Sequence, residues 1–270
     1  MQQKKNWFYA AGIVWPILIE AAKHGETVTY EDVAPLIDTN PLSVGYALSP
    51  IQDYCLTNRL PPLTILVVGK KSHVPGNGFI AWDISDLQSG IQSVFNFQWS
   101  SVINPYNEFS IIDTPESLAL QIYNDPKCRE QIYIKVKVRG IAQSIFRTVL
   151  LKAYNYQCAF CQFSQMEALD AAHIIPWEKA NSDQRMDPKN GLLLCALHHR
   201  LFDSGRITLN ESFQIEYHPL NNNRNLSATD KFLTSDLHGK SVKIPVRSDL
   251  QPSERYLIER RAFPKLGNIT

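Results

Sequence analysis

Two stretches, QCAFCQFSQMEALDAAHIIPW (157–177) and DPKNGLLLCALHHRLFDSG (187–205), decide how the second half of this 270-residue chain is read. Cys158-Ala-Phe-Cys161 and Cys195-Ala-Leu-His198 are metal knuckles of the form C-x2-C and C-x2-H. A two-residue gap lets both donors of a knuckle reach one ion, and zinc favours four such donors in a tetrahedron. Two knuckles close that shell and leave no position for water, so the expected Zn²⁺ site is structural. It clamps the segment before a first strand to the start of a last helix, and metal-binding energy becomes folding energy. Cys55 and Cys128 have no partner at ligand spacing and read as small buried hydrophobes.

Between and just beyond the knuckles lie ALDAAHIIPW, DPKNGLLLC and LHHRLFDSG. Here the chain resembles the HNH nucleases, whose module is two strands and a helix gripping one divalent metal. The resemblance covers roughly 140–209, and its motif letters fall on His173, Asn190 and His199. It implies a metal-dependent endonuclease that hydrolyses DNA phosphodiesters. Such chemistry needs an activated water and a cation to neutralise developing charge. A histidine, titrating near pH 6.5, suits the first task. His173, at the end of an apolar strand, is the expected general base. Asn190 is expected to hold His173 in one orientation through a hydrogen bond. His199 is expected to bind the catalytic metal, and adjacent His198 and His199 point in different directions.

Asp203 lies four residues after His199 and shares its helix face, so it ranks first as a second ligand. Many HNH proteins carry His or Asp directly before the base, where this chain has Ala172. Asp170, on the strand face opposite His173, is the other candidate and is expected to substitute only if the strand bulges. Mg²⁺ is the natural catalytic ion, and an imidazole ligand also suits Mn²⁺ or Ni²⁺. Arg200 and Arg206 flank the site as phosphate contacts or as plain solvated charges.

Ahead of this module, residues 1–105 read as an α/β unit. A helix over Trp7–His24 precedes TVTYEDVAPLI, where Thr29 caps a second helix, and PLSVGYALSPIQDYCLTN supplies a third. PPLTILVVGKKSHVPGNGFIAW then reads as two strands joined by a turn, the order of a winged helix-turn-helix. Val28, Tyr30, Val44, Gly45 and Ala47 are similar in layout to the DNA-binding domain of alkyltransferase-like proteins. Ser43–Tyr54 is then the recognition helix, with Ser43 and Tyr46 toward DNA, and Lys70, Lys71, Ser72 and His73 form the wing. The reactive Pro-Cys-His of alkyltransferases is absent, which argues against methyl transfer.

The expected fold is α+β: a winged-helix-like domain (1–105), a connection (106–139) holding a helix at PESLALQIYND and a strand at YIKVKV, and a zinc-stapled ββα-metal nuclease domain (140–270). The tail adds an Asn-rich loop at 221–225, a strand-like VKIPV and a polar helix at PSERYLIERRAF, to which the sequence assigns only packing on the core.

Bulk properties leave the partner open. The 27 basic and 26 acidic residues give a net charge of +1, so attraction to double-stranded DNA must come from local arrangement. No apolar run approaches the roughly 20 residues of a membrane span, and the expected location is cytoplasmic. An HNH fusion to a specificity domain suggests a restriction or defence enzyme, and some such enzymes read modified bases. One HNH site cuts one strand at a time, so double-strand cutting calls for a homodimer or two sequential events. The competing class is a non-catalytic, zinc-stabilised DNA-binding protein.

Overall fold

Helix α1 begins where the sequence supplies a cap. Asn6 accepts hydrogen bonds from the Phe8 and Tyr9 N–H groups, α1 runs Trp7–His24, and Gly25 closes it at φ 70°. The computed structural model describes residues 5–136, 139–219 and 225–262. The chain divides into two units, Met1–Thr114 and Pro115–Thr270.

In the first unit, β1 (Val28–Thr29) leads directly into α2 (Tyr30–Leu36), where Thr29 and Asp32 form a reciprocal capping box. Helix α3 (Val44–Thr57) packs on α1 through Val44, Ala47, Leu48 and Ile51. Trp15 of α1 makes edge contacts with Tyr54, Trp99 and Tyr106, which fixes the aromatic centre of this unit. The three expected helices are present, but the β-ribbon expected after them is not. Strand β2 (Val67–Val68) pairs in parallel with β1 instead of with the returning segment.

The cause lies in where the backbone groups of residues 76–80 find partners. The Tyr30 hydroxyl accepts from Gly76 N–H, while the buried Gln52 side chain accepts from Ile80 N–H and donates to Gly78 O. Helix side chains thus take the bonds a second strand would have made, and Pro75 bars ladder pairing at the bend. Helix α4 (Leu87–Phe95) is followed in this unit by a short 3-10 turn at Trp99–Ser101.

The second unit opens with α5 (Pro115–Asn124), α6 (Arg129–Val136) and α7 (Arg139–Ala153). The alternating YIKVKV therefore lies in a helix as far as Val136, not in a strand; Lys137 and Val138 fall outside the described residues. Ile132 and Val136, four apart, are buried, whereas Ile134 is 54% exposed, the pattern of a helix face.

Then come β3 (Leu169–His173), α8 (Ser182–Arg185), β4 (Gly191–Cys195) and α9 (Ala196–Asp203). Strands β3 and β4 are antiparallel, pairing Asp170 with Leu194 and His173 with Gly191. Helices α7 and α9 both pack on this hairpin, around a core that includes Phe146, Leu150, Leu169, Leu192, Leu194 and Phe202.

A second hairpin, β5 (Ile207–Leu209) and β6 (Ile215–Tyr217), is followed by α10 (Ala228–Leu233) and α11 (Glu254–Arg261). VKIPV (242–246) is not a strand: a single bridge, Gln214 to Ser241, lies just before it, and Pro245 cannot donate to a ladder. Asn221–Asn223, from the Asn-rich loop, and Phe263, at the end of the expected polar helix, lie outside the described residues.

Candidate active site and metal centre

The first knuckle is a tight turn whose backbone is tied into β4. Cys158 N–H donates to Phe163 O, Gln162 N–H donates back to Cys158 O, and Ala159 N–H donates to Leu193 O. The second knuckle straddles the strand-to-helix junction, with Cys195 ending β4 and His198 in the first turn of α9. All four donor atoms of Cys158, Cys161, Cys195 and His198 lie within 4.8 Å of one another.

A zinc tetrahedron with Zn–S of about 2.3 Å and Zn–N of about 2.0 Å has S···S edges of about 3.8 Å and S···N edges of about 3.5 Å. The observed edges are 3.9 Å between the Cys161 and Cys195 sulfurs, and 3.6 and 3.2 Å from His198 Nδ1 to Cys158 and Cys195. The donor set fits zinc in type and in size.

Electrostatics agree with the geometry. The contacts with Cys158 and Cys161 hold the Cys195 sulfur far below the ordinary thiol range, and its place at the N-terminus of α9 acts in the same direction. Burial disfavours a protonated His198, yet the Cys158 and Cys195 sulfurs and the Leu233 carbonyl push the ring up to about 10. His198 Nε2–H donates to Leu233 O at 2.9 Å, which turns Nδ1 toward the sulfurs. Leu233 lies in the tail, and a backbone carbonyl leaves no mark in a sequence motif.

His173 ends β3, with its ring stacked on Phe146 of α7 at 4.2 Å and edge-on to Trp177 at 5.6 Å. Its Nε2 donates to Arg185 O at 3.0 Å, so the ring is oriented by a main-chain carbonyl. Arg185 is itself fixed: its guanidinium lies over the Trp177 ring and hydrogen-bonds the Tyr133 hydroxyl.

Asn190 is fully buried, and its hydrogen bonds are not the expected one to His173. Its Oδ1 accepts from Ile175 N–H at 2.7 Å, and its Nδ2 donates to Gln184 O and Ile175 O. It staples both ends of the 174–185 loop, and so acts on His173 through the loop that presents Arg185 O. Asp187 braces the same loop by accepting from the Tyr256 hydroxyl.

Gly191, the cross-strand partner of His173, adopts ordinary extended geometry at φ −134°. It is needed for close approach rather than for a turn. A Cβ there would sit 2.6 Å from Leu150 Cδ1 and 2.7 Å from Phe146 Cζ, and Phe146 is the ring beneath His173. Gly191→Ala is expected to lower stability by about 1–3 kcal/mol through overpacking. A thermal melt checks this, and an unchanged transition refutes the packing account.

His199 lies between two carboxylates: Nδ1 is 3.5 Å from Asp170 Oδ2 and Nε2 is 3.3 Å from Asp203 Oδ2. The β3 ladder is regular, so Asp170 reaches His199 without the bulge expected to be necessary. The two carboxylates address opposite nitrogens of one ring, unlike the four donors of the zinc nest, which surround one point.

The other candidate residues are dispersed. Arg200 is exposed on α9, and the half-buried Arg206 reaches toward His218 O. Lys70 and Lys71 are exposed, Ser43 is half-buried, and the exposed Tyr46 ring rests on Trp7 at 5.2 Å. The exposed face of α3 (Gly45, Tyr46, Ser49, Asp53, Leu56) carries no cation, so phosphate contacts from this unit would have to come from elsewhere, such as the lysine turn.

Two antiparallel strands and a helix carry His173, His199 and the second knuckle, with the first knuckle ahead of them. Residues 158–210 match the HNH endonuclease family. The matched segment begins at the first knuckle cysteine and ends just beyond β5. The chain has no match among curated proteins. HNH domains are nuclease domains that act on DNA, typically with divalent metals, and that kind of activity is what this domain indicates. No helix of the described residues is long and apolar enough to cross a membrane.

Proposed function

We propose that this chain is a metal-dependent DNA endonuclease of a restriction or defence type, with the residues ahead of the HNH domain directing it to its target. The observation that carries the reading is the orientation of two imidazoles within one ββα unit. His173 is held by a main-chain carbonyl at the strand end, and His199 stands between two carboxylates on the helix. A degenerate binding module has no use for either arrangement.

His173, its ring oriented by the Arg185 carbonyl, takes a proton from the attacking water. The water oxygen bonds to phosphorus as the bond to the 3′ oxygen breaks. His199 and Asp203 would hold the catalytic cation, and Asp170, accepting from His199 Nδ1–H, would orient the ring toward Asp203, the usual partnership around a metal-bound histidine. A bound Mg²⁺ or Mn²⁺ supplies Lewis-acid stabilisation of phosphate charge and of the leaving oxygen. The zinc nest takes no part in the chemistry.

These roles separate the two aspartates. Asp170→Asn is expected to cost about 10–100-fold in apparent metal affinity, and Asp203→Asn more, because it removes a ligand and not an orienting partner. Titrating Mn²⁺ against cleavage rate measures both, and equal losses would show that Asp170 also ligates.

Supercoiled plasmid, unmodified or cytosine-methylated, incubated with protein and Mg²⁺, Mn²⁺ or EDTA tests the function itself. Metal-dependent nicking is expected, and a preference between the two plasmids would identify what directs the domain. Zinc-loaded protein that cuts neither plasmid with any metal refutes the nuclease reading and favours a binding module.

A further inference from the structure

Helix α11 does more than cover the core. Arg260 Nη1 donates to Ile174 O at 2.7 Å and to His173 O at 3.4 Å, and Nη2 donates to Phe202 O at 2.8 Å. Its guanidinium lies 4.0 Å from the centre of the Phe202 ring. The first two carbonyls belong to the residue just after β3 and to its last residue, and the third to the last turn of α9, directly before Asp203. One planar fork therefore spans the strand that carries His173 and the helix that carries His199 and Asp203. A guanidinium can do this because its donors diverge in a fixed plane; an ammonium on a flexible stem has no such geometry.

We propose that Arg260 is a positioning residue for phosphodiester cleavage, setting the separation between His173 and the His199–Asp203 pair. The inference rests on the nuclease reading given above. Two observations separate positioning from mere support. Phe202 O already accepts Gly205 N–H, which closes α9 at Gly205 (φ 71°), so the helix end is capped without Arg260. Helix α11 is held independently, through buried Tyr256 and Leu257 and the Tyr256 bond to Asp187. Removing the guanidinium leaves both elements folded and frees their spacing. Misplacement of a catalytic group by about 1 Å costs on the order of 100-fold in rate.

The test compares cleavage kinetics of the full-length wild type, Arg260→Lys, Arg260→Ala and His173→Ala at saturating Mn²⁺. Both Arg260 variants are expected to lose about 100-fold in kcat with KM for DNA within about twofold of wild type, since ground-state binding is untouched. Their zinc content and melting transition should persist. Millimolar guanidinium ion should restore part of the rate to Arg260→Ala and none to His173→Ala. Wild-type rates in Arg260→Lys overturn the inference alone. So does a loss confined to KM, or one accompanied in both variants by loss of zinc or of the melting transition. Zinc-loaded wild type that cuts nothing overturns the nuclease reading and this inference with it.

Discussion

Cys195→Ser is expected to abolish cooperative folding of the second unit and, with it, DNA cleavage. Cys195 is at once the last residue of β4, the cap position of α9 and one of three sulfurs in the nest, so its loss disconnects strand, helix and knuckle together. The magnitude follows from comparing two scales. Binding a structural zinc contributes about 10–16 kcal/mol, whereas a domain's net stability is about 5–15 kcal/mol. Loss of the ion removes more than the hairpin and short helices can retain. Stripping zinc with a strong chelator should have the same result. So should acidification: the sulfurs bind metal as thiolates, so protonation at low pH competes with the ion and stability falls as pH falls. The first unit has its own core around Trp15 and Ile51 and should keep its helical signal. Circular dichroism melts alongside native-mass zinc content read both effects. A Cys195→Ser protein that melts like wild type would falsify the structural-zinc account.

What the sequence made legible, and what it concealed, follows from the range of the interactions. The knuckles were readable because metal coordination constrains residue type and spacing over a few positions, and Cys158, Cys161, Cys195 and His198 meet as that spacing requires. Helix α1 and the Thr29–Asp32 cap were readable because both are local. The YIKVKV segment misled because its alternation fits a strand, while the pair that matters, Ile132 and Val136, fits a helix once packed. The missing β-ribbon is the same lesson at longer range. Gln52 and Tyr30, far away in sequence, hold the returning segment and leave β2 to pair with β1.

Around the candidate site the concealed parts are of two kinds. Arg185 O and Leu233 O orient His173 and His198, and a carbonyl is present at every position, so no residue type announces it. Phe146 and Arg260 reach the site from α7 and α11, outside the motif, with side chains that read as ordinary core and ordinary surface. Asn190 was picked out as important, but its work is on the 174–185 backbone and not on the imidazole. A motif names residues; the division of labour among them is set by tertiary contacts.

His173→Ala is expected to reduce cleavage by about 10²–10⁴-fold, the range for removing a positioned general base, while leaving fold and zinc intact. The ring lies at the rim of the core, stacked on Phe146, and its loss opens space there. The nest is on another part of the domain and shares no ligand with it. The pH dependence provides the sharper test. Wild-type rate should fall on the acid side as the ring gains a proton and ceases to accept one from water. At saturating metal, His173→Ala should lack the acid limb that the base contributes, leaving a low rate. A His173→Gln variant, able to donate to Arg185 O but unable to take up a proton at neutral pH, should be as slow as the alanine variant. If glutamine restored the rate, the residue would be orienting the loop and not accepting the proton. The base would then have to be sought among the groups that face the His199 carboxylates.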